Sequence, residues 1–218
     1  MIIFDCNGVL VDSEPIAMSV AAEELQGVGL RVTPEIVARY FTGRRPADMF
    51  ADVEAATGIV LPADFASHVA RITLERLRTE LRTMPHVERA LTWLHGPKCV
   101  ASSSPLDRVR VSLECTDLLR FFDRNVFSAS HVTRGKPAPD LFLHVARSVG
   151  IVPGDCLVVE DSPAGVSAAV AAGMTAIGFV GGGHAALNLG SHLTAAGAKM
   201  VIADMRALKG AVVALRGY

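Results

Sequence analysis

Six short apolar runs, at residues 2–4, 99–101, 125–127, 156–159, 174–179 and 200–203, constrain this chain more than any other feature. Each is bounded by turn residues, and longer amphipathic segments lie between them. Runs of this length read as strands buried on both faces. Their alternation with helical segments predicts an α/β fold: a doubly wound, Rossmann-like core with a parallel sheet. In such sheets ligands bind beyond the carboxyl ends of the strands, so chemistry-bearing residues are expected just after the runs. Residues 5–98 hold no convincing strand, far more chain than one crossover helix needs. Helical spacing over residues 16–26, 34–41, 46–57 and 63–81, punctuated by Gly27, Gly29, Gly43, Gly58 and Pro62, predicts an inserted helical domain. The expected division is a core of residues 1–14 plus 83–218, resuming in a helix at 87–94, and a helical domain of residues 15–82.

Charge and cysteine usage remove several function classes. The 218 residues carry 21 basic and 22 acidic side chains, without the basic excess that nucleic-acid binding needs. Cys6, Cys99, Cys115 and Cys156 are far apart in sequence and form no C-x-x-C pair, which leaves neither a zinc knuckle nor a thioredoxin-like motif. They read as reduced thiols, mostly buried, of a cytoplasmic protein. Met1 is followed at once by Ile2, Ile3, Phe4 and Asp5, which reads as a buried strand and not as a signal peptide. Residues 163–198 lack Asp, Glu, Lys and Arg. Gly165, Gly173, Gly178 and the run Gly181 to Gly183 cut that stretch into a short helix, a turn, a strand and a loop, so no membrane span is expected.

Polar clusters follow four of the six runs. Asp5 stands directly at the first strand tip, ahead of an Asn7-Gly8 turn, where a carboxylate serves as an oxygen nucleophile or metal ligand. A capped turn is the ordinary alternative for these residue types. After the second run, Ser102-Ser103-Ser104-Pro105 brings hydroxyls and backbone N–H groups to a helix start, a phosphate cradle or simply a cap. Lys136 is held between Gly135 and Pro137, where a fixed cation neutralises a phosphoryl group or carboxylate. Glu160 and Asp161 end the fourth run as adjacent acids, which repel unless a cation lies between them and whose hard oxygens suit Mg²⁺. Four separate bland explanations are less economical than one site.

Taken together, Asp5, Ser102, Lys136 and Glu160-Asp161 resemble the four ordered motifs of the haloacid dehalogenase superfamily. The similarity is to its sugar-phosphate phosphatase and β-phosphoglucomutase-like branch, with a helical cap inserted after the first strand. The likeness covers essentially the whole chain, including Val11-Asp12-Ser13-Glu14, common in sugar-phosphate phosphatases of that branch. It implies an Mg²⁺-dependent phosphatase that hydrolyses a small phosphorylated metabolite through an aspartyl-phosphate on Asp5. It also implies phosphate held by Ser102, Ser103 and Lys136, and a metal held by Asp5, the backbone carbonyl of Asn7, Glu160 and Asp161. A monomer or weak homodimer with no nucleic-acid or membrane partner is expected. Substrate choice would fall to the cap loop Thr42-Gly43-Arg44-Arg45, whose arginines suit a second anionic group or a sugar-acid carboxylate.

One residue departs from the pattern. Phosphatases of the family carry an aspartate two positions after the nucleophile as general acid and base, and here that position is Asn7. A carboxamide has nearly the same shape but cannot shuttle a proton, although its backbone carbonyl can still bind a metal. The expectation is a site that binds Mg²⁺ and phosphate but turns over slowly. An engineered substitution, a natural loss that made a non-catalytic binder, and a change tolerated for good leaving groups all fit Asn7. The near-isosteric swap with every other motif kept favours engineering. Dehalogenases also lack the second aspartate, but they do without Mg²⁺, against Glu160-Asp161. Ala17 replaces the hinge histidine of β-phosphoglucomutase-type enzymes, which makes a mutase the lesser alternative. The seven histidines show no metal-like spacing.

Overall fold

The computed structural model describes residues 1–41, 46–183 and 188–216. Along the chain come β1 (Ile2–Phe4), α1 (Glu14–Gly27), α2 (Pro34–Phe41), α3 (Pro46–Thr57), α4 (Phe65–Glu80), α5 (Val87–Trp93), β2 (Lys98–Ser102) and α6 (Leu106–Cys115). There follow β3 (Val126–Ser128), α7 (Asp140–Val149), β4 (Leu157–Glu160), α8 (Pro163–Ala171), β5 (Thr175–Phe179), α9 (Leu189–Ala195), β6 (Met200–Ile202) and α10 (Leu208–Arg216). Contacts divide the chain into two compact units, Met1–Asp12 with Arg82–Tyr218, and Ser13–Leu81.

The first unit is built on a six-stranded sheet of order β3-β2-β1-β4-β5-β6, with every neighbouring pair parallel. The chain moves outward from β1 to β3 and then returns to the other side of β1 for β4. The strand order therefore reverses between β1 and β4, and the crevice at such a switch point is where α/β sheets place ligands. The strands are short and buried because both faces are covered. Ile3, Cys99, Ala101, Val158 and Ala176 share one face with Leu141, Phe142 and Val145 of α7, Val166 and Ala169 of α8, and Leu193 of α9. Phe4, one residue on, belongs to the opposite face, where its ring meets Phe122 edge to face at 6.1 Å.

Some details differ from the sequence reading. The third and fourth strands each lie one residue later than expected, so Ser128 pairs with Ser102 at the strand tip and is fully buried, and Glu160 falls inside β4. The uncharged stretch expected to end as a loop contains α9, which the fully buried Leu193 anchors against β5. Packing outweighs its weak helical pattern there.

The second unit is helical. On α4, Phe65, Val69, Thr73 and Leu77 fall four apart and are all buried, the spacing that brings one stripe of a helix to a core. Phe65 and Val69 of that stripe join Val20 and Leu25 of α1, Val37 of α2, and Phe50 and Val53 of α3. Phe50 and Phe65 meet edge to face at 5.0 Å. The hydroxyl of Thr73 donates to the Val69 carbonyl at 2.7 Å, which satisfies a polar group inside this apolar cluster.

Candidate active site

Three central strand tips and one loop bring the expected residues of the first unit together. Asp5 follows β1, and its N–H donates to the Val159 carbonyl of β4 at 2.9 Å, fixing the carboxylate at the switch point. Glu160 ends β4 and Ser102 ends β2. Lys136 reaches in from the loop between β3 and α7. Its Nζ donates to Asp5 Oδ1 at 2.6 Å, to Glu160 Oε1 at 2.5 Å and to the Ala101 carbonyl at 2.8 Å. All three ammonium protons are thereby used, and the side chain is 4% exposed. Nζ also lies 5.2 Å from the ring centre of Phe142, a favourable cation–π contact.

The turn after Asp5 winds back on itself. Gly8 has φ of 72°, a left-handed conformation open to glycine at little cost, and its N–H donates to the Val11 carbonyl at 2.8 Å. The amides of Leu10 and Val11 both donate to the Cys6 carbonyl. This geometry turns the half-buried Asn7 so that its Nδ2 donates to Ser104 Oγ at 2.8 Å. The N–H of Ser104 donates in turn to Ser102 Oγ at 3.2 Å, and its carbonyl accepts from Ser128 Oγ at 2.6 Å. Ser103 is exposed between these two anchored serines. Ser128 carries no expectation from the sequence, and Ser104, expected in the phosphate cradle or as a cap, instead meets Asn7. The alternation of Ser128 with Val126 on one strand was the available signal for a buried hydroxyl.

The electrostatics are those of crowded acids around one cation. Burial pushes the Asp5 carboxyl up to about 8; Lys136 opposes this, while Glu160 and Asp161 add to it. Burial alone would lower Lys136, but Asp5 and Glu160 overcome it and hold the ammonium above its ordinary range. Neighbouring Cys6 is fully buried, which pushes its thiol up, so it stays protonated and inert.

Glu160, expected among the metal ligands, is turned elsewhere. Its Oε1 accepts from Lys136, and its Oε2 accepts from the N–H and the hydroxyl of Ser162 at 3.2 and 2.9 Å. This carboxylate fixes the lysine. Among the described residues, no three His, Cys, Asp or Glu side chains form a metal cage. A hard divalent cation nevertheless fits the donor chemistry: the Asp5 and Glu160 carboxylates share one ammonium, and Asp161 follows Glu160 directly at the end of β4, so hard oxygen donors gather at this sheet edge. Mg²⁺ needs only one or two carboxylates when water and a substrate phosphate complete its shell. The expected specificity residues Thr42, Gly43, Arg44 and Arg45 lie outside the described residues. Among the described residues, no helix is long and apolar enough to cross a membrane.

The family model for haloacid dehalogenase-like hydrolase matches residues 1–173. A 6-phosphogluconate phosphatase of Escherichia coli is 31% identical over 184 residues, covering 84% of this chain and 83% of that protein. The crystal structure of a haloacid dehalogenase-like protein of unknown function from Agrobacterium tumefaciens superposes with a TM-score of 0.89. It is 36% identical, with 99% of this chain and 98% of that one covered. A hydrolase from Deinococcus radiodurans with bound phosphate and sodium gives a TM-score of 0.83 at 30% identity, over 97% and 94% of the two chains.

Proposed function

The chain belongs to the haloacid dehalogenase-like hydrolase family, and from that premise we propose that it is a phosphatase for a small sugar phosphate or sugar-acid phosphate, slowed by Asn7. The observation that carries this reading is Lys136, seated between Asp5 and Glu160 at the β1/β4 switch point. A carboxylate with a fixed ammonium beside it and a serine-lined turn opposite suits phosphoryl transfer, in which catalysis is mainly positioning and charge neutralisation.

In this mechanism Asp5 attacks phosphorus in line with the leaving oxygen and becomes an aspartyl-phosphate, which water then hydrolyses. Lys136 neutralises a phosphoryl oxygen while keeping Asp5 aligned. The Ser102 hydroxyl and the Ser103 N–H hold the remaining oxygens. Asp5, the backbone carbonyl of Asn7 and Asp161 would hold Mg²⁺, which supplies charge compensation as the phosphoryl group transfers. Glu160 contributes by holding Lys136. We assign the helical unit the role of a cap that excludes water during chemistry and opens for release. Thr42, Gly43, Arg44 and Arg45 are the candidates for substrate selection, and the 31% identity with a 6-phosphogluconate phosphatase supports a sugar-acid phosphate.

Asn7 sets the rate. Its Nδ2 donates to Ser104 Oγ, and a carboxamide can neither protonate the leaving oxygen nor take a proton from water. Restoring aspartate should therefore raise kcat by about 10²–10⁴-fold, the usual worth of a general acid–base group. The test is phosphate release from a panel of sugar and sugar-acid phosphates with Mg²⁺, comparing the protein, its Asn7→Asp variant and Asn7→Asp carrying Asp5→Asn. A gain in the single variant that disappears in the double one is expected. No turnover in any of them would overturn the phosphatase reading and leave a non-catalytic binder of phosphorylated metabolites, one of the explanations that Asn7 fits.

A further inference from the structure

Gly165 stands in the first turn of α8, and its φ is not among the positive values, so backbone freedom does not explain it. Helix interiors accept alanine better than glycine, which leaves space as the reason. A Cβ built there would lie 2.0 Å from Glu160 Cδ, 2.1 Å from Oε1 and 2.2 Å from Oε2. The bare α8 backbone is thus one wall of the seat in which the Glu160 carboxylate rests. Ser162 makes the second wall: its N–H and hydroxyl donate to Oε2, and its Oγ accepts from the Gly165 N–H at 3.0 Å. Lys136 closes the third side, and Glu160 is wholly buried. The positive end of the helix also favours a carboxylate there.

We propose that Gly165 is a positioning residue for this reaction: by lacking a side chain it lets the first turn of α8 seat Glu160, and through Glu160 it holds Lys136 against Asp5. The inference rests on the phosphoryl-transfer reading of the same site, and Gly165 itself touches no reacting atom. Its effect is transmitted because the carboxylate is the far end of a flexible chain, whereas α8 is fixed by Val166, Ala168 and Ala169 in the core. A side chain at residue 165 therefore leaves the helix in place and moves Glu160. Lys136 then loses one of its two carboxylates.

The experiment uses Gly165→Ala and reads the reactivity of Lys136 toward a water-soluble acylating reagent, mapped by mass spectrometry. In the unmodified protein Lys136 is nearly inaccessible and all its protons are engaged. Loss of one charge-assisted hydrogen bond should raise its labelling by about tenfold or more. In the Asn7→Asp background Gly165→Ala should lower kcat by a similar factor with a smaller change in KM. The Glu160→Ala background should erase both effects, because residues acting through one partner are not additive. Gly154→Ala, where no atom lies within 4 Å of the new Cβ, is the control and should change nothing. Should Gly165→Ala not fold, Glu160→Gln reaches the same lysine without touching α8 and should release it equally. Lysine labelling needs no turnover, so labelling as expected in a chain with no phosphatase activity would sink the functional reading alone. A protected Lys136 in a folded Gly165→Ala protein of higher Tm would overturn the inference. So would an effect that persists undiminished in Glu160→Ala.

Discussion

Lys136 and Arg76 are each flanked by two carboxylates at hydrogen-bond distance, yet the two triads are built for different ends. Lys136 sits between Asp5 and Glu160 with side chains 4%, 10% and 1% exposed. Arg76 of α4 lies between Glu23 and Glu80 at 2.9 and 2.7 Å, with exposures of 28%, 57% and 43%. Water screens the second arrangement, so its charges cost little to hold and contribute little to stability. The first has been taken out of water, at a desolvation cost that only close pairing offsets. The helical unit's ion pairs of Glu24, Arg71 and Arg76 lie outside its apolar core. The sheet unit buries one at its switch point, where a stabilising apolar substitute would have served the fold as well. A buried triad of this kind has a functional reason more readily than a structural one.

The contrast can be broken most forcefully at Lys136. Its replacement by alanine leaves Asp5 and Glu160 buried without a cation, and should destabilise the protein by about 3–5 kcal/mol in urea melts. Added Mg²⁺ should recover part of that loss. A change much below 1 kcal/mol would mean the triad is better hydrated than its burial indicates.

An intermediate case sharpens the comparison. The half-buried His144 packs its ring against Phe127 at 5.7 Å and His131 at 5.6 Å, and burial, His131 and Arg147 hold it below its ordinary value of 6.5. The unfolded chain therefore takes up the proton first as pH falls below 6.5, and stability should fall with it in that window. Urea melts between pH 7.5 and 5.5 should show this loss, and His144→Phe should flatten the profile. An unchanged slope in that variant would remove His144 from the account.

The smallest effect is expected at the exposed triad. Arg76→Ala should cost below about 1 kcal/mol, and that cost should shrink further in 0.5 M salt as screening increases. A loss comparable with that at Lys136 would erase the distinction between the two triads.

The site was legible in the sequence because a parallel sheet writes its tips plainly. Asp5, Ser102 and Glu160 each follow a short apolar run, and buried strands have few other reasons to end in such residues. Lys136 was legible through its confinement between Gly135 and Pro137. Hydrogen-bond partners were not, because adjacency in sequence carries no direction: Glu160 and Asp161 read as a matched pair, while the turn into α8 points Glu160 at the lysine. The contacts of Ser104 and Ser128 were hidden for the same reason, since they link segments far apart in the chain. Of the fold, the six strands and the helical insertion were plain from apolar spacing. The third strand slipped by one residue because Asn125 and Ser128 flank it with equal turn character. The helix α9 was masked by a glycine and by the absence of charge, and one buried leucine supports it.

The closed turn at Gly8 also bears on chemical ageing. An asparagine followed by glycine is a labile pair: the glycine nitrogen can attack the carboxamide, expel ammonia and leave aspartate or its isomer after hydrolysis. Here the proton on that nitrogen is committed to the Val11 carbonyl, and the carboxamide is tethered to Ser104. The same hydrogen bonds that present residue 7 to the site therefore preserve it as asparagine while the chain stays folded. Each excursion to the unfolded state opens a route to aspartate, a side chain that, unlike asparagine, can take up and release a proton.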